Sequence, residues 1–246
     1  MGFVHRLLGA TAAALLVWPA AVAPARALPE AEAINKLAVV PVFMLVNAKG
    51  VPVPKVLKDD KLLLVYLFME RSRAEAELQK VLQAQPGGDV RVMPIPLNVA
   101  NERIVAINKV LNDGNRMLGP VVPREADMAA ARTILRNLGR TDEEIKEGLA
   151  VPVFFTKPYL EVNTPEGPRA VFFLTHADLQ KALAGAPANR QLAPQAADIS
   201  FAIQQIMQTK QDSFVFYPPP DYFRLVQEEQ ARQKGGAATP PAPPRP

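Results

Sequence analysis

The sequence predicts an α/β protein of two similar halves related by a pseudo-twofold, with apolar strands and amphipathic helices packed on them. Three observations predict it. Val40-Pro41-Val42-Phe43 returns as Val151-Pro152-Val153-Phe154. Each copy is followed by a second apolar strand, at 62–69 and 170–174, and then by a helix carrying Leu-Gln-Lys-x-Leu, at Leu78 to Leu82 and Leu179 to Leu183. Each half then closes on a strand, a proline and a helix, at 117–138 and at 214–232. One such match means little, but the same elements in the same order indicate a duplicated unit.

Residues 1–27 read as a cleaved secretory signal: Arg6, an apolar run of h-region length at 7–18, and Ala25-Arg26-Ala27 as a small-x-small cleavage site, which puts Leu28 first in the mature chain. No later run has the length and apolarity of a membrane span. Removing Arg6 and Arg26 takes the formal charge from +4 to +2, and no basic block points to nucleic acid. Without cysteine, disulfides, thiol catalysis and Cys-ligated metals are excluded.

The mature chain is expected to open with an N-terminal helix in 28–38. The first half spans 39–138. It starts on the apolar run 39–46, which suits a strand covered on both faces. A turn at 47–50 and the proline-blunted Val51-Pro52-Val53-Pro54 follow, then a turn at Asp59-Asp60. Residues 62–69 read as one deeply buried strand. Ser72, with Glu75 three residues later, reads as the cap of the helix ending near Ala84. Pro94 and Pro96 remove two ladder donors and place the strand 90–96 at an edge. A helix at 99–111 and a strand at 117–122 come next. The helix 124–138 has Gly139 as its C-terminal cap.

The connector 139–150 holds a short helix capped by Thr141 and Glu144. The second half, 151–232, starts on a strand at 151–156, then a loop or hairpin at 157–168. The strand 170–174 leads into a helix capped by Thr175 and Asp178. A counterpart to the strand 90–96 is hard to see; Gln191 to Ala193 is a poor candidate. The helix 198–207 has Ile199, Ile203 and Ile206 on one side. The Pro-rich segment 233–246 reads as a disordered tail.

The chemistry-bearing residues are few. His5 leaves with the signal, and His176 stands in a first helical turn that disfavours imidazolium. It reads as a solvated turn residue, although a hydrolase using His176 with Ser72, Ser200 or Ser213 stays open. There is no phosphate loop and no Gly-x-Ser-x-Gly elbow. The carboxylate pairs Asp59-Asp60, Glu143-Glu144 and Glu228-Glu229 read as solvated surface. No catalytic residue, metal site or cofactor is expected. What stands out is aromatic pairs on strands. Phe154 and Phe155, Phe172 and Phe173, and Phe216 and Tyr217 each point to opposite sheet faces. Either helices cover both faces and all are core, or one member of each pair lines an open apolar groove. The helices carry mostly single apolar stripes, which fill one face more easily than two, so these six residues are the candidate client-binding set.

The order of motifs resembles the Tic twenty-two-kilodalton family. Ile-x-Lys-Leu-x-x-Val-Pro-Val-Phe at 34–43 carries the resemblance, with Val46-Asn47-Ala48-Lys49-Gly50, Val151-Pro152-Val153-Phe154-Phe155, the Phe172-Phe173 strand with Leu179, and the closing strand–proline–helix at 214–226. The resemblance implies two similar α/β halves and no catalytic residue. It also implies location in the periplasm, or in the chloroplast intermembrane space for a plastid protein. The expected partners are unfolded outer-membrane proteins or preproteins, bound reversibly in chaperone fashion. The alternative is an interaction module that docks on an outer-membrane assembly or translocation complex and touches no client.

Overall fold

The computed structural model describes residues 28–56, 61–111, 114–187, 190–209 and 212–236. The expected signal at 1–27, the turn at Asp59-Asp60 and the segment after Gly236 lie outside them. α1 (Glu30–Asn35) leads through a 3-10 turn, Lys36–Val39, into β1 (Pro41–Asn47). β2 (Lys55–Val56), β3 (Leu62–Leu64) and β4 (Leu67–Phe68) precede α2 (Arg71–Ala84). Next come β5 (Val90–Pro96), α3 (Leu97–Val110), β6 (Arg116–Leu118), β7 (Val121–Val122), α4 (Glu125–Asn137) and α5 (Asp142–Gly148). The chain continues with β8 (Pro152–Lys157), β9 (Glu161–Thr164), β10 (Gly167–Phe173) and α6 (His176–Ala184). It closes with β11 (Ala193–Asp198), α7 (Ile199–Gln208), β12 (Phe214–Tyr217) and α8 (Pro220–Gly236).

Two sheets repeat one connectivity. The first has the order β5-β1-β4-β7 and the second β11-β8-β10-β12, with β9 paired to β10 beside it. In both, the first strand of the half is antiparallel to its two neighbours, and the last pair is parallel. Phe43 stands opposite Phe68 as Phe154 stands opposite Phe173. The duplicated Val-Pro-Val-Phe motif therefore occupies the same place in both sheets. β2, β3 and β6 form a small third sheet.

Several elements depart from the sequence reading, each for a physical reason. The run 62–69 is two strands, and so is its partner at 116–122. Val65 N donates to Leu118 O, Leu67 N to Pro120 O and Met69 N to Val122 O, so the parallel partnership runs through the break. Pro120 has no N–H to return, and the ladder is interrupted there. α2 starts at Arg71 after Glu70 and has no side-chain cap. Ser72 lies inside the first turn, because pairing with β7 holds the chain extended to Met69. Thr175 does cap α6: its Oγ accepts the Asp178 amide at 3.1 Å and donates to Asp178 Oδ2 at 2.6 Å. Thr141 and Glu144 form a complete capping box. Gly139, at φ +83°, closes α4 with bonds from Gly139 N to Arg136 O and Arg140 N to Leu135 O. The counterpart of β5 is β11, six residues without a β-branched or aromatic side chain, held by pairing along the length of β8. α8 runs to Gly236, so residues 233–236 are helical rather than part of a tail.

Both faces of the two larger sheets are covered. The inward face of β1, Val42, Met44 and Val46, shares a central cluster with Val153, Phe155 and Phe172 of the second sheet, closed by Ala100 and Ile104 of α3 and Ala202 and Ile206 of α7. The outward faces are covered by exchange between the halves. α4, from the first half, places Ala131, Met128 and Leu135 against Phe154, Phe173 and Leu179 of the second. α8, from the second half, places Leu225 against Phe43 and Phe68 of the first. Arg71 of α2 bonds Glu228 of α8 at 3.0 Å, and Asp127 of α4 accepts the first amide of α6, His176 N, at 2.8 Å. Each exchanged helix thus holds the start of the helix beside it.

Phe43 and Phe154 are both fully buried at equivalent positions. Truncating a buried Phe to Ala removes its transfer energy and leaves a cavity, costing about 3–5 kcal/mol. Urea unfolding of Phe43→Ala and Phe154→Ala is expected to show losses of that size in both; a loss at one position alone would contradict their equivalence.

Candidate functional site

The structure splits the six candidate aromatic residues between two clusters. Phe155, Phe172 and Phe216 enter the central cluster, and Phe154 and Phe173 the outer cluster under α4 and α6. The opposed pointing read from strand geometry holds for Phe154/Phe155 and Phe172/Phe173. Phe172 is the hub of the inner set, with ring centroids 5.6 Å from Phe155, 5.2 Å from Phe214 and 5.9 Å from Phe216. Phe154 meets His176 at 5.5 Å. Tyr217, at 40% exposure, is the one candidate open to solvent, and its ring lies 5.6 Å from Phe173. The six do not line one shared groove: the exchanged helices fill the face that single-striped helices within one half would have left open, and of the buried five only Phe155 reaches the wall of a cleft, beside β11.

Open apolar clefts lie elsewhere. One of about 310 Å³ opens between α2 and the first sheet, over Leu45, Val65, Tyr66, Phe68 and Val81, with Lys80 and Glu77 at its rim. A second, about 350 Å³, lies where α8 passes the β5 edge, between Pro94 and Pro96 and the side chains of Tyr222, Leu225 and Val226. A third, about 510 Å³, runs beside β11 between α4–α5 and α7. Sequence reasoning missed the first two and met the third only at Phe155. The clefts at the sheet edges are made by elements of different halves, and β11 carries too weak a strand signal to reveal an edge.

The charges near these clefts serve the fold. Arg124 reaches Asp221 at 3.1 Å and Asp127 at 3.9 Å, tying the starts of α4 and α8. Burial pushes the Asp127 carboxyl above its ordinary value, against the His176 amide and Arg124, which favour its charge. Asp212 pairs with both Lys36 and Arg169, joining the N-terminal turn to β10. Burial pushes Asp198 up, but the amides of Val151, Ser200 and Ala150 outweigh it and hold the group below 3.8. The His176 ring contacts Gln180 and Phe154, and neither Ser72 nor Ser200 bonds it. Among the described residues no group of three or more His, Asp or Glu is placed to hold a metal ion, and no helix is long and apolar enough to cross a membrane.

The model of the Tic22-like family matches residues 9–221, most of the sequence. The chain belongs to the Tic22-like family. Among solved structures it is similar to Anabaena Tic22, a protein-transport protein, with a TM-score of 0.65, 22% identity, and coverage of 88% of this chain and 100% of that one. It is also similar to Tic22 from Plasmodium falciparum, with a TM-score of 0.59, 18% identity, and coverage of 81% and 98%. No curated protein matches it. At these identities the two structures establish the shared fold, and the family resemblance read from the motifs stands.

A carboxylate whose folded pKa is depressed contributes stability above its unfolded pKa and loses it as pH falls through the folded one. Asp198 caps α7 through Ser200 N at 3.0 Å and also takes the amides of Ala150 and Val151. Asp198→Ala is expected to cost about 0.5–2 kcal/mol at pH 7, the usual loss of a helix cap. The difference from the parent protein should shrink below pH 3.8, as followed by thermal unfolding across pH. An unchanged difference across that window would show that the carboxylate charge contributes nothing there.

Proposed function

We propose that this Tic22-like protein is a chaperone-like factor of the periplasm that binds unfolded outer-membrane proteins or preproteins reversibly and assists their transport. The observation that supports this reading most directly is the set of open clefts lined by apolar side chains in a chain of this family. The cleft under α2 alone exposes Leu45, Tyr66, Phe68 and Val81 to one space. Burying one Leu- or Phe-sized side chain is worth about 1.5–3 kcal/mol, so a few such contacts give capture that is weak enough to reverse without nucleotide. Phe155 forms part of the cleft wall beside β11; the other interior aromatic residues act on clients indirectly, by keeping the cleft walls rigid. In the plastid setting the same chemistry suits the chloroplast intermembrane space.

The purified chain 28–246 is expected to suppress light scattering when an outer-membrane protein is diluted out of urea, at close to one protein per client. No suppression, together with retention on an outer-membrane assembly or translocation complex, would replace the chaperone reading with that of a docking module. Tyr217→Ser and Phe172→Ala separate the roles of the aromatic set. The first is expected to leave the unfolding midpoint nearly unchanged; the second should cost about 3–5 kcal/mol and reduce client binding only in proportion to unfolded protein. Client binding lost in Phe172→Ala at full native content would return the interior aromatic residues to the client surface.

A further inference from the structure

We propose that the free edge of β11 takes up an extended client segment as an added strand. The proposal rests on the client-binding reading above and says how a client would be held. Antiparallel partners alternate between pairs that exchange hydrogen bonds and pairs that do not. Ile199 N donates to Val151 O at 2.8 Å, and Leu97 N donates to Val40 O at 2.9 Å. Those bonds put the odd-numbered residues of β11 and of β5 in the bonded class, and turn the even-numbered backbone outward. The two sheet edges then differ in one respect. In the first sheet, Pro96 stands opposite Pro41 and Pro94 opposite Phe43, so these two outward positions lack an amide, while Val90 and Val92 keep theirs. In the second, Asp198 stands opposite Pro152 and Ala196 opposite Phe154, and both amides are present. Both edges carry proline at outward positions, a usual protection against strand addition: β5 at Pro94 and Pro96, β11 at Pro194 opposite Thr156. Beyond Pro194, β11 keeps two successive outward amides, Ala196 and Asp198, where β5 has its two prolines.

The surroundings of that edge fit a strand. The register turns the Ala196 amide away from β8, and an outward amide on an edge strand is a donor ready for an added strand. The groove of about 510 Å³ beside it has Phe155 and Phe201 on one wall and Ile145 and Leu149 on the other. Phe155 belongs to the central cluster and Ile145 and Leu149 to the outer one, so the groove straddles the sheet edge rather than lying on one face. An added strand would send alternate side chains to the two walls while its backbone bonds Ala196 and Asp198. Lys157, paired with Ala193 at the far end of β11, is exposed and makes no ion pair with a described residue. An acidic residue at one end of an apolar extended segment matches it.

The test uses the chain 28–246 and a synthetic ten-residue peptide of alternating apolar and polar residues with Asp at one end, the pattern of an outer-membrane strand. Binding is read by fluorescence anisotropy and amide hydrogen exchange. The peptide is expected to slow exchange at Ala196 and Asp198, and Ala196→Pro, which deletes an outward donor but no bond to β8, to weaken it at least about tenfold. Equal affinity in Ala196→Pro overturns the proposal, as does binding without protection at those two amides. Should Ala196→Pro fail to fold, the exchange pattern of the unsubstituted protein decides alone. Protection that grows with protein concentration in the absence of peptide would assign the edge to a second copy of the chain and also overturn it. Suppressed client aggregation with no peptide at the edge removes strand capture and leaves client binding standing; a peptide bound at the edge without any effect on aggregation does the reverse.

Discussion

Each of the two larger sheets is apolar on both faces, and that constraint organises the molecule. A sheet so built must be covered twice, and the helices packed within one half reach only part of that area. α3 and α7 close the central cluster, and α2 and α6 lie on the outer faces, leaving Phe43 and Phe154 in need of one more helix each. Each half supplies that helix to the other. α4 spans the junction onto the second sheet, and α8 returns to the first. The ion pairs Arg71–Glu228 and Arg124–Asp221 fix where α8 lands, and Asp127 does the corresponding work for α4 through the His176 amide. Their individual energies are modest, as for any partly solvated pair. Their role is to choose one register for helices whose apolar stripes would tolerate several.

The duplication was legible because Val-Pro-Val-Phe and Leu-Gln-Lys-x-Leu are local strings, and local strings need no tertiary knowledge. The same holds for the caps at Thr141, Thr175 and Gly139, which are set by a few neighbouring residues. Ser72 misled because capping depends on where the preceding strand ends, and β4 is held extended to Met69 by β7, some fifty residues on. β11 was invisible for a related reason: Ala-Pro-Gln-Ala-Ala-Asp has little intrinsic strand preference, and only its pairing with β8 makes it one. How far the candidate aromatic set is covered turns on a global property. Whether Phe173 is covered depends on α4, which no pattern within the second half can announce.

The two halves have kept their topology while their margins have drifted apart. The β5 edge carries Pro94 and Pro96 under α8, whereas the matching edge carries Ala196 and Asp198 beside α4 and α5. Asp198 adds a further asymmetry, since its carboxylate takes the amides of Ala150 and Val151 as well as capping α7. It joins the start of β8 to the end of β11, a clasp for which the proline at the matching position, Pro96, has no side-chain acceptor. Duplicated architecture therefore does not imply duplicated chemistry.

The return of α8 has a temporal consequence. A ribosome makes the chain from its N-terminus, and the helix that seals Phe43 and Phe68 is among the last described segments to emerge. Until then the first sheet cannot complete its outer layer, and the contacts that finish it join residues at opposite ends of the sequence. Such distant closures are slow. A nascent chain with this layout keeps the outer layer of its first sheet unfinished until α8 has been made.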